Sequence, residues 1–215
     1  MSNLHIVIAR YNESLSWLDT CLTPAQRLSV RIYNKGPDPV SSQIKTLPNV
    51  GREAHTYLTY IIENYDNLPD RVYFLQGDPF PHLELSPTYE VVQGWLRCWH
   101  SQVTAFGYSI NVIHSSITRN FREPDKDQCS LNFGDWMEAH VAPFRSPIRW
   151  YMGACFGVSG AIIKNRSKDY YINLLKEFQT LDPETAYYIE RLWVYVFQLD
   201  ELFETNPIYK SIFNC

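Results

Sequence analysis

The sequence predicts an α/β fold with three layers and a mostly parallel central sheet, interrupted by an irregular middle insertion. Three observations predict it. Short apolar runs at 4–9 (LHIVIA), 28–33 (LSVRIY) and 71–75 (RVYFL) read as strands, the first as a buried strand of the parallel type. Segments of helical character separate them. Each run ends in a polar cluster, and ligands in such sheets bind at the carboxyl ends of the strands.

The elements follow in order. Strand 4–9 stops at Arg10-Tyr11-Asn12-Glu13, and a helical segment over 14–22 comes next. Strand 28–33 closes in the turn Asn34-Lys35-Gly36-Pro37. A loop to Pro48 leads to a helix whose apolar positions Ala54, Tyr57, Leu58, Ile61, Ile62 and Tyr65 share one face, with Asn49 as its expected N-cap. Strand 71–75 ends at Gln76-Gly77-Asp78. Residues 79–148 read as the insertion and as one wall of a site. They carry repeated prolines, a helix near 88–105 holding Trp95 and Trp99, a short strand at 111–115 and a polar loop over 119–135. Regularity returns with a small-residue strand at 153–159 and a helix at 168–180 burying Tyr171, Leu174, Leu175 and Phe178. Asp182-Pro183 reads as the cap and first turn of a last helix running to about Phe203. The whole chain, 1–215, reads as a single domain.

Composition excludes several classes. Apolar residues make up 45% and charged residues 20%, so the chain is globular. A net charge of −4 gives no electrostatic grip on nucleic acid. The five cysteines, Cys21, Cys98, Cys129, Cys155 and Cys215, are odd in number and dispersed, which fits a reducing, cytoplasmic setting better than a disulfide framework. No segment approaches the length of an apolar membrane span, so no integral membrane segment is expected.

The candidate site combines the strand ends with the helix start. Asp78, at a strand terminus before Pro79, is the metal candidate, with His82 as a second ligand. The competing use of Asp78 is as the cap of the turn GDPF. The helix start at Gly51, Arg52 and His55 could hold a diphosphate through backbone N–H groups and a guanidinium, or Arg52 could pair with a nearby glutamate. Tyr11, Asn12 and Glu13 are placed to meet a base or ribose, with helix capping as the alternative for Asn12 and Glu13. Arg10, Lys35, Asn49 and Gln76 complete the binding set. Glu190 falls in line with Ala186, Trp193 and Phe197; a desolvated carboxylate there suits general-base work, and an ion pair with an arginine such as Arg191 is the alternative. Asp125 and Asp127 read as a solvated loop. P-loop, GxGxxG, GxSxG and HExxH motifs are absent.

The runs ARYNE (9–13), IYNKG (32–36), LPNVGREAHTYL (47–58), IIENYDNLPD (61–70), FLQGDPF (74–80), YMGACFGVS (151–159) and ERLW (190–193) resemble a domain-of-unknown-function family, domain of unknown function 3431. More distantly, the order of elements is similar to GT-A-type nucleotide-sugar glycosyltransferases, which share a Rossmann-like sheet. That resemblance implies transfer of a sugar from a nucleoside-diphosphate donor to a glycan or other hydroxyl acceptor. By position, Tyr11–Glu13 would meet the nucleotide and Asn49–Arg52 the donor. Asp78 would hold a divalent cation, manganese or magnesium, and Glu190 would be the base. Two departures stand out. Gln76 occupies the place of the first carboxylate of the metal motif, and no histidine follows His140. A non-catalytic glycan- or nucleotide-binding module is therefore the alternative, and a metal-dependent hydrolase the third reading.

Overall fold

The computed structural model describes residues 3–37, 44–83, 86–97, 112–114, 117–150 and 152–200. It is a mixed α/β molecule whose central sheet has five strands in the order β3-β2-β1-β4-β7. These are β1 (Leu4–Arg10), β2 (Val30–Asn34), β3 (Ile44–Thr46), β4 (Arg71–Gln76) and β7 (Phe156–Ser159). The three strands legible as apolar runs are neighbours, β1 pairing in parallel with β2 on one side and β4 on the other. β7 runs antiparallel to β4.

Alternation along β1 and β4 explains the layers. Val7, Val72 and Phe74 face one core and Ile6, Ile8 and Leu75 the other. On the first face lie α3 (Arg52–Asn64), α6 (Phe133–His140), α8 (Lys168–Leu175), α9 (Glu184–Glu190) and α10 (Trp193–Val196). The second face carries α1 (Ser16–Cys21), the short α4 (Phe80–Leu83) and α5 (Tyr89–Arg97). Two more short helices, α2 (Pro24–Arg27) and α7 (Gly160–Ile163), serve connections. Thr23 and Gln26 close a reciprocal capping box on α2.

Several expectations are corrected. The loop before Pro48 contains β3, a parallel edge strand paired with β2. The first half of the small-residue run 153–159 is a turn, Met152–Ala154, with Gly153 at φ 83 and Ala154 at φ 46. The strand expected near 111–115 is β5 (Val112–His114), which pairs with β6 (Ile148–Trp150) in a separate antiparallel sheet. The polar stretch 119–135 runs into α6, capped by Asn132. The last helix is not continuous: α9 ends at Glu190, and Leu192 (φ −119, ψ 2) breaks it before α10. The break lets both Leu192 and Trp193 enter the core, so burial overrides the helical periodicity. Pro183 holds the N-cap position of α9, and the Asp182 carboxylate pairs with Lys126 at 3.0 Å. Residues 98–105 of the expected insertion helix, with Trp99, and the side chain of Trp95 lie outside the described residues, as do 201–203. Among the described residues no helix is long and apolar enough to cross a membrane.

Candidate functional site

The order β3-β2-β1-β4 means that the chain leaves β1 in one direction and later returns to its other side. The carboxyl ends of β1 and β4 therefore flank a crevice of the kind that binds nucleotides in doubly wound sheets. A cleft of about 340 Å³ lies there. The end of β1 contributes Ala9, Arg10, Tyr11 and Glu13 to its lining, and the turn after β2 contributes Lys35. Asn49, Arg52 and Glu53 come from the approach and first turn of α3, and Gln76 from the end of β4.

The strand-end loops are laced together. Arg10 donates through Nε to the Glu13 carbonyl at 2.9 Å and through Nη1 to Asn34 Oδ1 at 2.8 Å. Asn34 is fully buried and donates through Nδ2 to the Gly36 carbonyl at 2.9 Å. The Glu13 carboxylate accepts from the Tyr11 N–H at 2.7 Å and the Asn12 N–H at 3.2 Å, which curls the loop after β1. A Cβ on Gly36 would stand 1.6 Å from the Tyr11 carbonyl oxygen, so only glycine lets these two loops touch. Tyr11 remains 44% exposed, an aromatic ring at the rim.

The start of α3 is unusual. Gly51 (φ 60) and Arg52 (φ 47) are both left-handed, a costly conformation for an arginine. The Lys35 ammonium holds this turn by donating to the Val50 carbonyl at 2.5 Å and to the Arg52 carbonyl. Burial pushes the Lys35 amine down to about 7, against a smaller upward pull from Glu53. Arg52 donates to the Tyr187 hydroxyl at 2.6 Å, lies over the Tyr187 ring at 4.8 Å and approaches Asp182 at 3.6 Å. Desolvation opposes its charge, but Glu53, Tyr187, Asp182 and Glu190 together hold the guanidinium above its ordinary value. His55, one turn on, is buried inside α3 and not in the lining; burial, then Lys35, lower its imidazole to about 4.

Sequence reasoning missed Glu53. An acidic residue in a helix's first turn reads as a complement to the helix dipole, which hides any other role. Its position four residues before the fully buried Tyr57 was the available signal, since it puts the carboxyl on the helix's buried face. The Glu53 side chain is only 10% exposed. Burial raises its carboxyl above the ordinary value, and the charge of Glu190 raises it further. Arg52, its own N–H and Lys35 offset this in part.

Other candidates stand apart from the lining. Asp78 accepts from the Phe80 N–H at 3.4 Å, the capping use of its turn. Asn12 is exposed, and Gly51 is buried with its N–H on the Thr180 carbonyl at 2.8 Å. The His82 side chain lies outside the described residues. Glu190 borders a small neighbouring cavity with Cys155 and Trp193, and its Oε1 accepts from the Gly153 N–H at 3.0 Å. Gln76 donates to the Gly153 carbonyl at 2.8 Å, so the two side chains grip the same turn. Arg191 pairs with Glu123 at 3.6 Å. Asp127 and Asp125 belong to a structured loop. Asp127 accepts from the Asp182 N–H at 3.0 Å, and Asp125 takes φ 63. Among the described residues no three His, Cys, Asp or Glu side chains converge as a metal-donor set.

The fold and cleft define a mixed α/β protein with a polar crevice at the reversal of its strand order. The chain belongs to the family described as protein of unknown function DUF3431, whose model matches residues 6–207. No curated protein and no solved structure matches it.

Proposed function

We propose that the cleft binds a nucleoside-diphosphate sugar and that the protein transfers the sugar to the hydroxyl of a glycan or other acceptor. One observation carries the reading: Lys35 and Arg52 line a cleft at the carboxyl ends of β1, β2 and β4, where the strand order reverses. Arg52 and Lys35 meet the diphosphate, and Tyr11 with the loop to Glu13 meets the nucleoside. In the transfer, the bond between the sugar carbon and the diphosphate oxygen breaks, and its electron pair leaves on phosphate. The acceptor oxygen forms the new bond and gives its proton to Glu190. Glu190 lies outside the cleft lining but its charge bears on Glu53 and Arg52 within it, so this reading places the acceptor on the Glu190 side of the cleft. The cations of the cleft supply charge stabilisation in this reading.

A second reading, a binding module without turnover, has its own support. Gln76 stands where a metal-binding carboxylate is expected, and its amide is spent on the Gly153 carbonyl. The free thiols of Cys21, Cys129 and Cys155 support a reducing compartment, such as the cytoplasm, as the place of action.

The test is a thermal-shift panel of nucleoside diphosphates and nucleotide sugars, with manganese and with EDTA. The expected outcome is a rise of several degrees with one nucleotide series at about 100 times its Kd. Glu190→Gln then separates the readings. Nucleotide binding kept and turnover lost by about 10²–10⁴ supports transfer. Binding with no turnover in the wild type supports the module, and a panel with no shifts contradicts both.

A further inference from the structure

We propose that Glu53 reads the sugar: its buried carboxyl hydrogen-bonds a ring hydroxyl of the nucleotide-linked sugar in the cleft. This rests on the nucleotide-sugar reading and adds the residue that would tell a sugar nucleotide from a bare diphosphate. Glu53 lines the cleft, yet its side chain is only 10% exposed. Its ion partner is weakly engaged. Arg52 Nε stands 3.8 Å from Oε2, while the same guanidinium donates at 2.6 Å to Tyr187.

The charged and titratable groups bearing on Glu53 are Arg52 and Tyr57 on its own helix, Lys35 from the turn after β2, Glu190 from α9 and Cys155 before β7. Burial and Glu190 favour the neutral acid, which both donates and accepts a hydrogen bond. A sugar hydroxyl also does both. Phosphate oxygens at neutral pH mainly accept, so they belong with Arg52 and Lys35. One cleft thus offers cations for a diphosphate and a buried carboxyl for a polyol. The carboxyl accepts from its own N–H, and a ligand hydroxyl in the cleft supplies a further partner.

The experiment is calorimetry of the full chain with UDP, UDP-glucose, GDP and GDP-mannose, on the wild type, Glu53→Leu and Glu53→Gln. Leucine keeps the bulk and removes the hydrogen bonds; glutamine keeps a donor and an acceptor. The wild type is expected to bind one sugar nucleotide about tenfold more tightly than its parent diphosphate. Glu53→Leu should lose that increment, the ratio of sugar-nucleotide to diphosphate affinity, and Glu53→Gln should keep most of it. An increment that survives in Glu53→Leu overturns the proposal, as does an equal loss of diphosphate and sugar-nucleotide affinity. Where diphosphates bind but the wild type shows no increment, the inference falls and the nucleotide reading stands. Where no diphosphate binds, both fall. A wild-type series of deoxysugar nucleotides keeps the test independent of how the variants fold. One hydroxyl should account for the increment, and an increment spread evenly over the ring contradicts a single carboxyl reader.

Discussion

Lys35 is a lysine whose charge is set by its place in the fold. Its ammonium donates to two carbonyls of the α3 turn while burial lowers its amine to about 7. The consequence for stability has a definite sign. Between about 7 and the ordinary 10.5, the unfolded chain holds a proton that the native chain has lost. Stability from this group therefore rises with pH across that window. Below it both states are protonated, and the cost of burying the charge is fully present. Urea titrations should show the wild type gaining on Lys35→Met as pH rises from about 7 to 10. A constant difference would contradict the burial of this amine. A bound diphosphate beside Lys35 should restore its proton, so binding near pH 8 should take up protons, read by calorimetry in buffers of different ionisation enthalpy.

Two elements are pinned by specific contacts. The first is the start of α3, where the left-handed Gly51 packs against the chain at Phe178. A Cβ there would lie 2.5 Å from the Phe178 Cβ and 2.5 Å from its carbonyl oxygen. Gly51→Ala should cost about 2–4 kcal/mol from backbone strain and overpacking, measured by chemical denaturation. A loss below about 0.5 kcal/mol would mean the turn relaxes freely.

The second is the loop from Arg119 to Leu131, tied down by the fully buried Glu184 of α9. Glu184 accepts from Arg122 at 3.0 Å, the Glu123 N–H at 2.9 Å, the Cys129 N–H at 3.0 Å and the Tyr188 hydroxyl at 2.6 Å. Desolvation pushes its carboxyl up, but these bonds outweigh it and hold the carboxyl below its ordinary value. The stability it contributes is present above the unfolded value of 4.5 and is lost as pH falls through the lower folded one. Glu184→Ala should cost about 2–4 kcal/mol at pH 7 and shrink the wild type's loss of stability in acid. An unchanged acid limb would assign that loss to other carboxylates.

At the scale of the whole molecule, what was legible followed from burial. β1 and β4 are buried on both faces and β2 in part, so their apolar runs stand out, and parallel pairing brings their polar ends to one edge. Most of the cleft lining could therefore be named from strand ends and the helix start. β3 was hidden because Ile44-Lys45-Thr46 is a short edge strand with little burial to mark it. α6 was hidden by the polar stretch that precedes it. The break between α9 and α10 was hidden because 192–197 (LWVYVF) is an unbroken apolar run with no Gly or Pro to mark a stop. Asp78 kept two readings because a carboxylate after a strand serves a turn and a ligand equally well in sequence; in the fold its Oδ1 accepts from the Phe80 N–H.

The central claim is that the cleft grips a diphosphate through Arg52, and calorimetric titration of UDP and GDP into the wild type and Arg52→Met tests it most directly. The account predicts binding of one diphosphate by the wild type and a loss of about tenfold or more in the variant, with the far-UV spectrum unchanged. Undiminished affinity in Arg52→Met, or no binding of either diphosphate to the wild type, would contradict it.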